Sequence, residues 1–256
     1  MNRFENLFRR KSQNVLNIYC TAGFPKLDDT VQMMVALEKY GADIIELGMP
    51  YSDPVADGEA IQKSDDIALK NGMTVNILFQ QLKRMREYVS IPVVLMGYLN
   101  PVLQYGFENF CAKAAEAGVD GLIIPDLPAY EFENEYGAIV KKYGLDFMFL
   151  ITPETSEERI KKLDELSSGF LYAVTSSSTT GGEKDFNVVG EYLERLKNLQ
   201  LNNPILAGFG VKDKTTFDAV CKHANGAIIG SAYIKALQKN NDVELATDEF
   251  LNSILA

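Results

Sequence analysis

The sequence predicts an α/β fold, a single (β/α)8 TIM barrel over residues 1–256, with an N-terminal helix in front and an extra short helix after the eighth strand. Three observations carry this. Eight short β-rich runs alternate with longer helical patterns from end to end. The runs are near-continuous apolar rather than alternating, as parallel strands buried on both faces require. No break in composition and no low-complexity linker divides the chain, whose length is near that of one α/β barrel. An open doubly wound sheet would give the same alternation. It usually carries a Gly-rich turn after its first strand, where this chain reads Cys20-Thr21-Ala22-Gly23-Phe24-Pro25.

Taken in order, Phe4, Leu7 and Phe8 make the first ten residues amphipathic and predict the leading helix. Strands are predicted at 15–19, 44–48, 92–96, 121–124, 146–150, 170–174, 204–207 and 226–229. Between the first two, Leu27, Val31, Met34 and Leu37 recur at helical spacing. After the fifth, Ile160, Leu163 and Leu166 do the same, with Glu157 and Glu158 four residues ahead of Lys161 and Lys162. A polar loop at 175–187, rich in Ser, Thr and Gly, follows the sixth strand, and a loop of that length in a compact domain is usually a functional lid. Val189, Tyr192, Leu193, Leu196 and Leu199 form the next stripe. A short helical run at 232–238 follows the eighth strand, and a last helix is expected at 244–255.

The formal net charge is −10, which argues against nucleic acid or an acidic membrane as partner. Any phosphate on a substrate would have to be held by local donors. Cys20, Cys111 and Cys221 are odd in number, widely spaced and without a CxxC, which reads as free buried thiols and not as a metal site. His223 is the only histidine, so a multi-histidine metal centre is excluded; it falls near a predicted helix end, where its side chain suits the terminus. No apolar run approaches the ~18 residues of a membrane span, and Arg9-Arg10 precedes no apolar export core, so the cytoplasm is the expected compartment.

Barrel chemistry sits where strands end at the C-terminal face. In Asp43-Ile44-Ile45-Glu46-Leu47-Gly48, Glu46 interrupts an apolar run and with Ile44 should point into the mouth. A partly desolvated carboxyl there would have a raised pKa and could exchange protons near neutral pH. A structural glutamate paired with a lysine is the competing reading. The segment that follows is stiffened by Pro50 and Pro54 and ends in Asp57-Gly58, a turn whose carboxylate could face back across the mouth. Two carboxyls in different settings can divide proton exchange from charge stabilisation. The seventh strand runs into Gly208-Phe209-Gly210 and the eighth into Gly230-Ser231, the position where barrels bind phosphate on backbone amides and a short helix. Gly181-Gly182 in the long loop could close on the same anion.

The segment Glu46-Leu47-Gly48-Met49-Pro50-Tyr51-Ser52-Asp53-Pro54-Val55-Ala56-Asp57-Gly58 resembles the signature of tryptophan synthase α chains. Phe4-Glu5-Asn6-Leu7-Phe8, Pro125-Asp126-Leu127-Pro128, Gly208-Phe209-Gly210 and Gly230-Ser231-Ala232 also resemble that family, in order along nearly the whole chain. The resemblance implies retro-aldol cleavage of indole-3-glycerol phosphate to indole and glyceraldehyde 3-phosphate. It implies Glu46 as the general acid/base that protonates indole carbon 3, Asp57 as acceptor of the indole N–H, and Tyr172 as a tyrosine beside the glutamate. It implies Tyr19, Tyr98, Leu150 and Phe209 as lining of the indole pocket, with core packing as their alternative. Gly181, Gly210, Gly230 and Ser231 match the phosphate cradle, and Thr180 matches a threonine that meets the aspartate on loop closure. Asp53, Asn100 and Pro101 match positions near the interface with a β subunit in an αββα assembly. No cofactor is implied for this chain; pyridoxal phosphate is expected in the β partner. Departures are Glu59 where the family commonly has Pro, and Ser176-Ser177-Ser178-Thr179 in place of Arg-Ser-Gly-Val. Another phosphate-binding barrel, such as an isomerase or epimerase of a sugar phosphate, a non-catalytic activating subunit and a free-standing lyase are the rival readings; such epimerases want metal-binding histidines, which are missing.

Overall fold

The computed structural model describes residues 2–174, 186–208, 210–240 and 242–256. Among these, nine parallel strand segments form one sheet: β1 (Val15–Thr21), β2 (Ile44–Gly48), β3 (Val93–Met96), β4 (Gly121–Ile123), β5 (Asp146–Phe147), β6 (Leu150–Ile151), β7 (Leu171–Val174), β8 (Ile205–Gly208) and β9 (Gly226–Ile229). Their order is β5-β4-β3-β2-β1-β9-β8-β7-β6. The predicted fifth strand is therefore two segments. Its first half pairs with β4 and its second half with β7, and the bonds Met148 N–H to Leu122 O (3.1 Å) and Tyr172 N–H to Phe149 O (3.0 Å) carry the ladder across. Strands in a barrel are staggered by the shear, so a short strand meets its two neighbours at different heights, and the circle closes through 146–151.

Alternate residues face in and out. Val15, Ile44, Val94, Ile123, Met148, Tyr172, Leu206 and Ile228 pack together inside, while Leu16, Ile18, Ile45, Leu47, Val93 and Leu95 lie under the helices. Both faces are buried, which is why the strands read as continuous apolar runs.

The leading helix, Arg3–Arg10, closes the end of the barrel opposite the strand C-termini. Asn2 and Glu5 form a capping box, with Glu5 N–H to Asn2 Oδ1 at 2.8 Å and Asn2 N–H to Glu5 Oε2 at 3.0 Å. Its Phe4 and Leu7 enter the inner cluster, with the Phe4 ring edge-on to Phe170 at 6.0 Å. Arg3 pairs with Asp120 at 2.9 Å, which ties the plug to the start of β4.

The expected helices form at Asp29–Lys39, Glu157–Leu166, Phe186–Asn198 and Val243–Leu255. Lys162 reaches across to Glu133 of the neighbouring element and not back along its own helix, since an acid on another element is a better-placed partner. His223 lies just past the Lys214–Cys221 helix and bonds Glu194 through Nδ1 at 3.1 Å, a structural position. All three cysteines are buried and free. No helix among the described residues is long and apolar enough to cross a membrane.

Candidate active site

The register of β1 on β2 sets the centre of the mouth. Asn17 pairs with Ile44 and Tyr19 with Glu46, so Asn17, Tyr19 and Glu46 all project inward from adjacent strands. Glu46 is 1% exposed, and its Oε2 accepts a hydrogen bond from Asn17 Nδ2 at 2.9 Å. Among the described residues no cation pairs with it, so the lysine-paired reading of Glu46 fails. Burial pushes its carboxyl up; the Asn17 bond pulls it down and the charge of Asp57 pushes it further, to about 8. A group that holds its proton at pH 7 and can release it one unit higher is suited to exchange protons with a substrate.

Glycine placement makes room for two phenol rings beside this carboxyl. A Cβ on Gly48 would lie 2.1 Å from Tyr19 Oη, and one on Gly208 would lie 2.6 Å from Tyr172 Oη. Both rings thus lie across the ends of neighbouring strands where only glycine leaves space. Tyr172 stands opposite Leu150 in the β6–β7 register, and its hydroxyl is held in the neutral form by burial and by the charges of Glu46 and Asp57. Leu150 is half-buried and packs against the inner cluster.

The segment 49–58 carries Asp57 over the opening. Tyr98 Oη donates to Asp57 Oδ2 at 2.9 Å and accepts from Ala56 N–H at 3.0 Å, and the Tyr98 ring packs 5.3 Å from that of Tyr51. Tyr98 therefore positions Asp57. Burial raises the Asp57 carboxyl and the Tyr98 bond lowers it. Gln62 Nε2 donates to Asp57 O at 2.7 Å, fastening the turn to the Glu59–Lys70 helix that it precedes.

On the far side of β1 from β2, β9 and β8 follow side by side along the barrel rim, and the Ser231–Lys239 helix starts at Gly230 directly after β9. A Cβ on Gly230 would come within 3.3 Å of Tyr19 Cβ and 3.5 Å of Ile61 Cδ1, which brings this rim, the β1 tyrosine and Ile61 together. Gly210 is exposed, with φ +85°, a backbone that disfavours any side chain. Free amides at a helix start after a glycine can hold an anion without a cationic side chain. Phe209, Thr180 and Gly181 lie outside the described residues. Asp53 and Asn100 are exposed and Pro101 is half-buried; Asp53 lies within the 49–58 segment, and Asn100 Nδ2 reaches Tyr51 Oη of that segment at 3.3 Å. Among the described residues no group of three or more His, Cys, Asp or Glu could hold a metal ion.

A family model described as the tryptophan synthase alpha chain matches residues 4–253. The chain belongs to the tryptophan synthase alpha chain family. It is similar to the tryptophan synthase alpha chain of Flavobacterium johnsoniae, 52% identical over 255 residues, covering 99% of this chain and 100% of that one. The alpha chain of Bacteroides thetaiotaomicron is 49% identical over 247 residues, 96% of each. Among solved structures, tryptophan synthase from Mycobacterium tuberculosis aligns with TM-score 0.88 at 32% identity, over 100% of this chain and 99% of that one. A tryptophan synthase complex from Pyrococcus furiosus aligns with TM-score 0.86 at 35% identity, over 96% and 99%. The fold is the α/β TIM barrel of these alpha chains, and the chain is a carbon–carbon lyase of tryptophan biosynthesis that cleaves indole-3-glycerol phosphate.

Two residues at this alpha-chain site escaped the sequence reading. Asn17 sits within Val15-Leu16-Asn17-Ile18-Tyr19, a polar interruption of an apolar strand of the same kind that singled out Glu46. Asp65, 2% exposed, lies on the Glu59–Lys70 helix with Ala60, Ser64 and Ala68 on its buried stripe. Helical spacing from Ile61 could have placed that charge on the inner face.

Proposed function

We propose that Glu46 and Asp57 carry the cleavage, within one barrel domain formed by residues 1–256. Glu46, in its neutral form, gives its proton to indole carbon 3. Asp57, ionised, accepts the indole N–H and stabilises the positive charge that develops on the ring. The resulting carboxylate of Glu46 then takes the proton of the glycerol hydroxyl next to the ring. The carbon–carbon bond breaks, its electron pair returns to the ring, and indole and glyceraldehyde 3-phosphate separate with Glu46 reprotonated. Tyr172 and Tyr19 flank the transfer, and Tyr19, Tyr98, Leu150 and Phe209 enclose the ring. Gly181, Gly210, Gly230 and Ser231 hold the phosphate on backbone amides and a helix start, which suits a chain of net charge −10. The observation that carries this reading is a buried Glu46 carboxyl at the mouth of the barrel, bonded to Asn17, without a cation among the described residues and raised by burial to about 8.

The partner proposed is a β subunit carrying pyridoxal phosphate, in an αββα assembly in the cytoplasm. Asp53, Asn100 and Pro101 border the docking face, and Val55 on the same segment is 83% exposed. Docking favours the closed segment 49–58 and brings Thr180 to Asp57, so it raises turnover by up to the reciprocal of the fraction of time the free chain spends closed. The test is stopped-flow measurement of indole release from indole-3-glycerol phosphate by the full chain, with and without its β subunit. Weak release alone, strong activation by the partner, and roughly 100-fold lower turnover for Asp57→Asn in both settings are expected. Unchanged turnover in Asp57→Asn would reduce that residue to a turn former, and a chain at full speed and indifferent to the β subunit would refute the coupling. Thr180→Val should lose most of the activation.

A further inference from the structure

A third carboxyl group lies under the 49–58 segment. Asp65, in the second turn of the Glu59–Lys70 helix, is 2% exposed. Among the described residues, its Oδ2 accepts one long hydrogen bond, 3.5 Å, from the backbone N–H of Tyr51, and its buried Oδ1 has no partner. Among the described residues it has no ion pair; Lys63, the cation nearest in sequence, is bound to Glu59. The groups whose charge it feels, or that feel its own, are Asp57 from the segment above, Asp66 from its own helix, Tyr19 from β1 and Tyr98 beyond β3, and none is a cation. An ionised carboxylate cannot be accommodated in such a place without water or a counter-charge, whereas a neutral acid can.

We propose that Asp65 is a positioning residue of the cleavage site: as a neutral acid it clasps the Tyr51 amide and so holds segment 49–58, with Asp57, over the barrel mouth, and on ionising it releases the segment. This rests on the reading of Glu46 and Asp57 above. Burial first and then the charge of Asp57 lift the Asp65 carboxyl to about 8, and the Tyr51 bond only partly offsets them. At pH 7 the clasp is therefore engaged. When Asp65 loses its proton the Tyr51 bond strengthens, but repulsion from Asp57 and the need of a buried charge for water are larger. Both are relieved by lifting the segment that carries Tyr51 and Asp57 together. The segment is fastened at its start by Met49 N–H to Met96 O at 2.7 Å and at its far end by Ala56 to Tyr98 and Asp57 to Gln62, so Asp65 acts on the stretch between them, at the Tyr51 amide, beside the Asn100 bond to Tyr51 Oη.

Binding of indole-3-glycerol phosphate to the full-length Glu46→Gln chain, titrated by calorimetry from pH 7 to 9.5, tests this. The substitution slows turnover at least ~10²-fold and removes the other carboxyl raised to about 8. Affinity should be flat to about pH 8 and then fall roughly tenfold per pH unit. In Glu46→Gln with Asp65→Asn the amide stays neutral and accepts the Tyr51 N–H at every pH, so affinity should hold within about threefold across the range. Hydrogen exchange of residues 49–58 in ligand-free Glu46→Gln, corrected for its intrinsic pH dependence, should accelerate with the same midpoint, and this measurement needs no second substitution. A pH-independent affinity and exchange in Glu46→Gln, or a fall that persists in a folded double variant, overturns the role of Asp65 alone. Near-normal turnover by Glu46→Gln would instead overturn the reading of Glu46 on which it rests.

Discussion

Replacing Glu46 by Gln should make the protein more stable and nearly inactive. The amide keeps the volume of the side chain, and its oxygen can still accept from Asn17 Nδ2, now 2.9 Å from Oε2. What disappears is the titrating proton. In the unfolded chain a glutamate ionises near its ordinary value; in the fold Glu46 stays neutral until about 8. Between those two pH values the folded state binds more protons than the unfolded state, so stability falls as pH rises across the window. Above pH 8 the cost is fully present and constant. The interval from the ordinary 4.5 to about 8 corresponds to a cost of up to about 5 kcal/mol. Gln, neutral in both states, escapes it. Thermal unfolding at pH 4 should show little difference between the proteins, and at pH 8 the variant should melt higher by up to about 10–20 °C, since 1 kcal/mol is worth about 2–4 °C at this chain size. Turnover at pH 7 should fall by at least ~10²-fold, the usual value of a general acid–base group. A variant that melts below the wild type at pH 8, or is stabilised equally at pH 4, would refute the buried neutral carboxyl. A variant with a third of normal turnover would refute its chemical role.

Asn17→Val removes the donor that favours the ionised form of Glu46, so the alkaline limb of the kcat profile should move to higher pH than the wild type's; an unmoved limb would detach Asn17 from Glu46. Tyr98→Phe removes the bond that favours ionised Asp57, so the acid limb should also move upward, at a stability cost of about 1 kcal/mol for the bonds lost; a downward or absent shift would sink that assignment. Gly208→Ala places a Cβ within 2.6 Å of Tyr172 Oη, and the ring must shift. A loss of about 1–3 kcal/mol of stability together with impaired turnover is expected in denaturant melts and steady-state assays, and an unperturbed enzyme would show that the ring does not lie across that strand end.

The order of elements and the fold class were set by the sequence itself, because strands covered on both faces must be apolar throughout and helices on a barrel must show a single stripe. Glu46 was legible for the same reason: a charge in such a run has to have a use or a partner. Gly208 and Gly230 sit where a side chain would meet a tyrosine, and Gly210 has a backbone of φ +85°, so glycine at these three positions was legible while what approaches them was not. The pairing of these parts was not. Only the register of β1 on β2 brings Asn17 against Glu46, since a one-residue slip would turn one of them to the helices. Only the fold reveals that Tyr98 holds Asp57, as the two are 41 residues apart in the chain. The split of the fifth strand depends on barrel stagger, which local preference does not encode. Asp65 is the clearest case. In the sequence it is one acid among Ser64-Asp65-Asp66 on a helix; the packing of that helix beneath segment 49–58 takes it out of water, with no cation beside it among the described residues, and so decides whether it carries a charge at all.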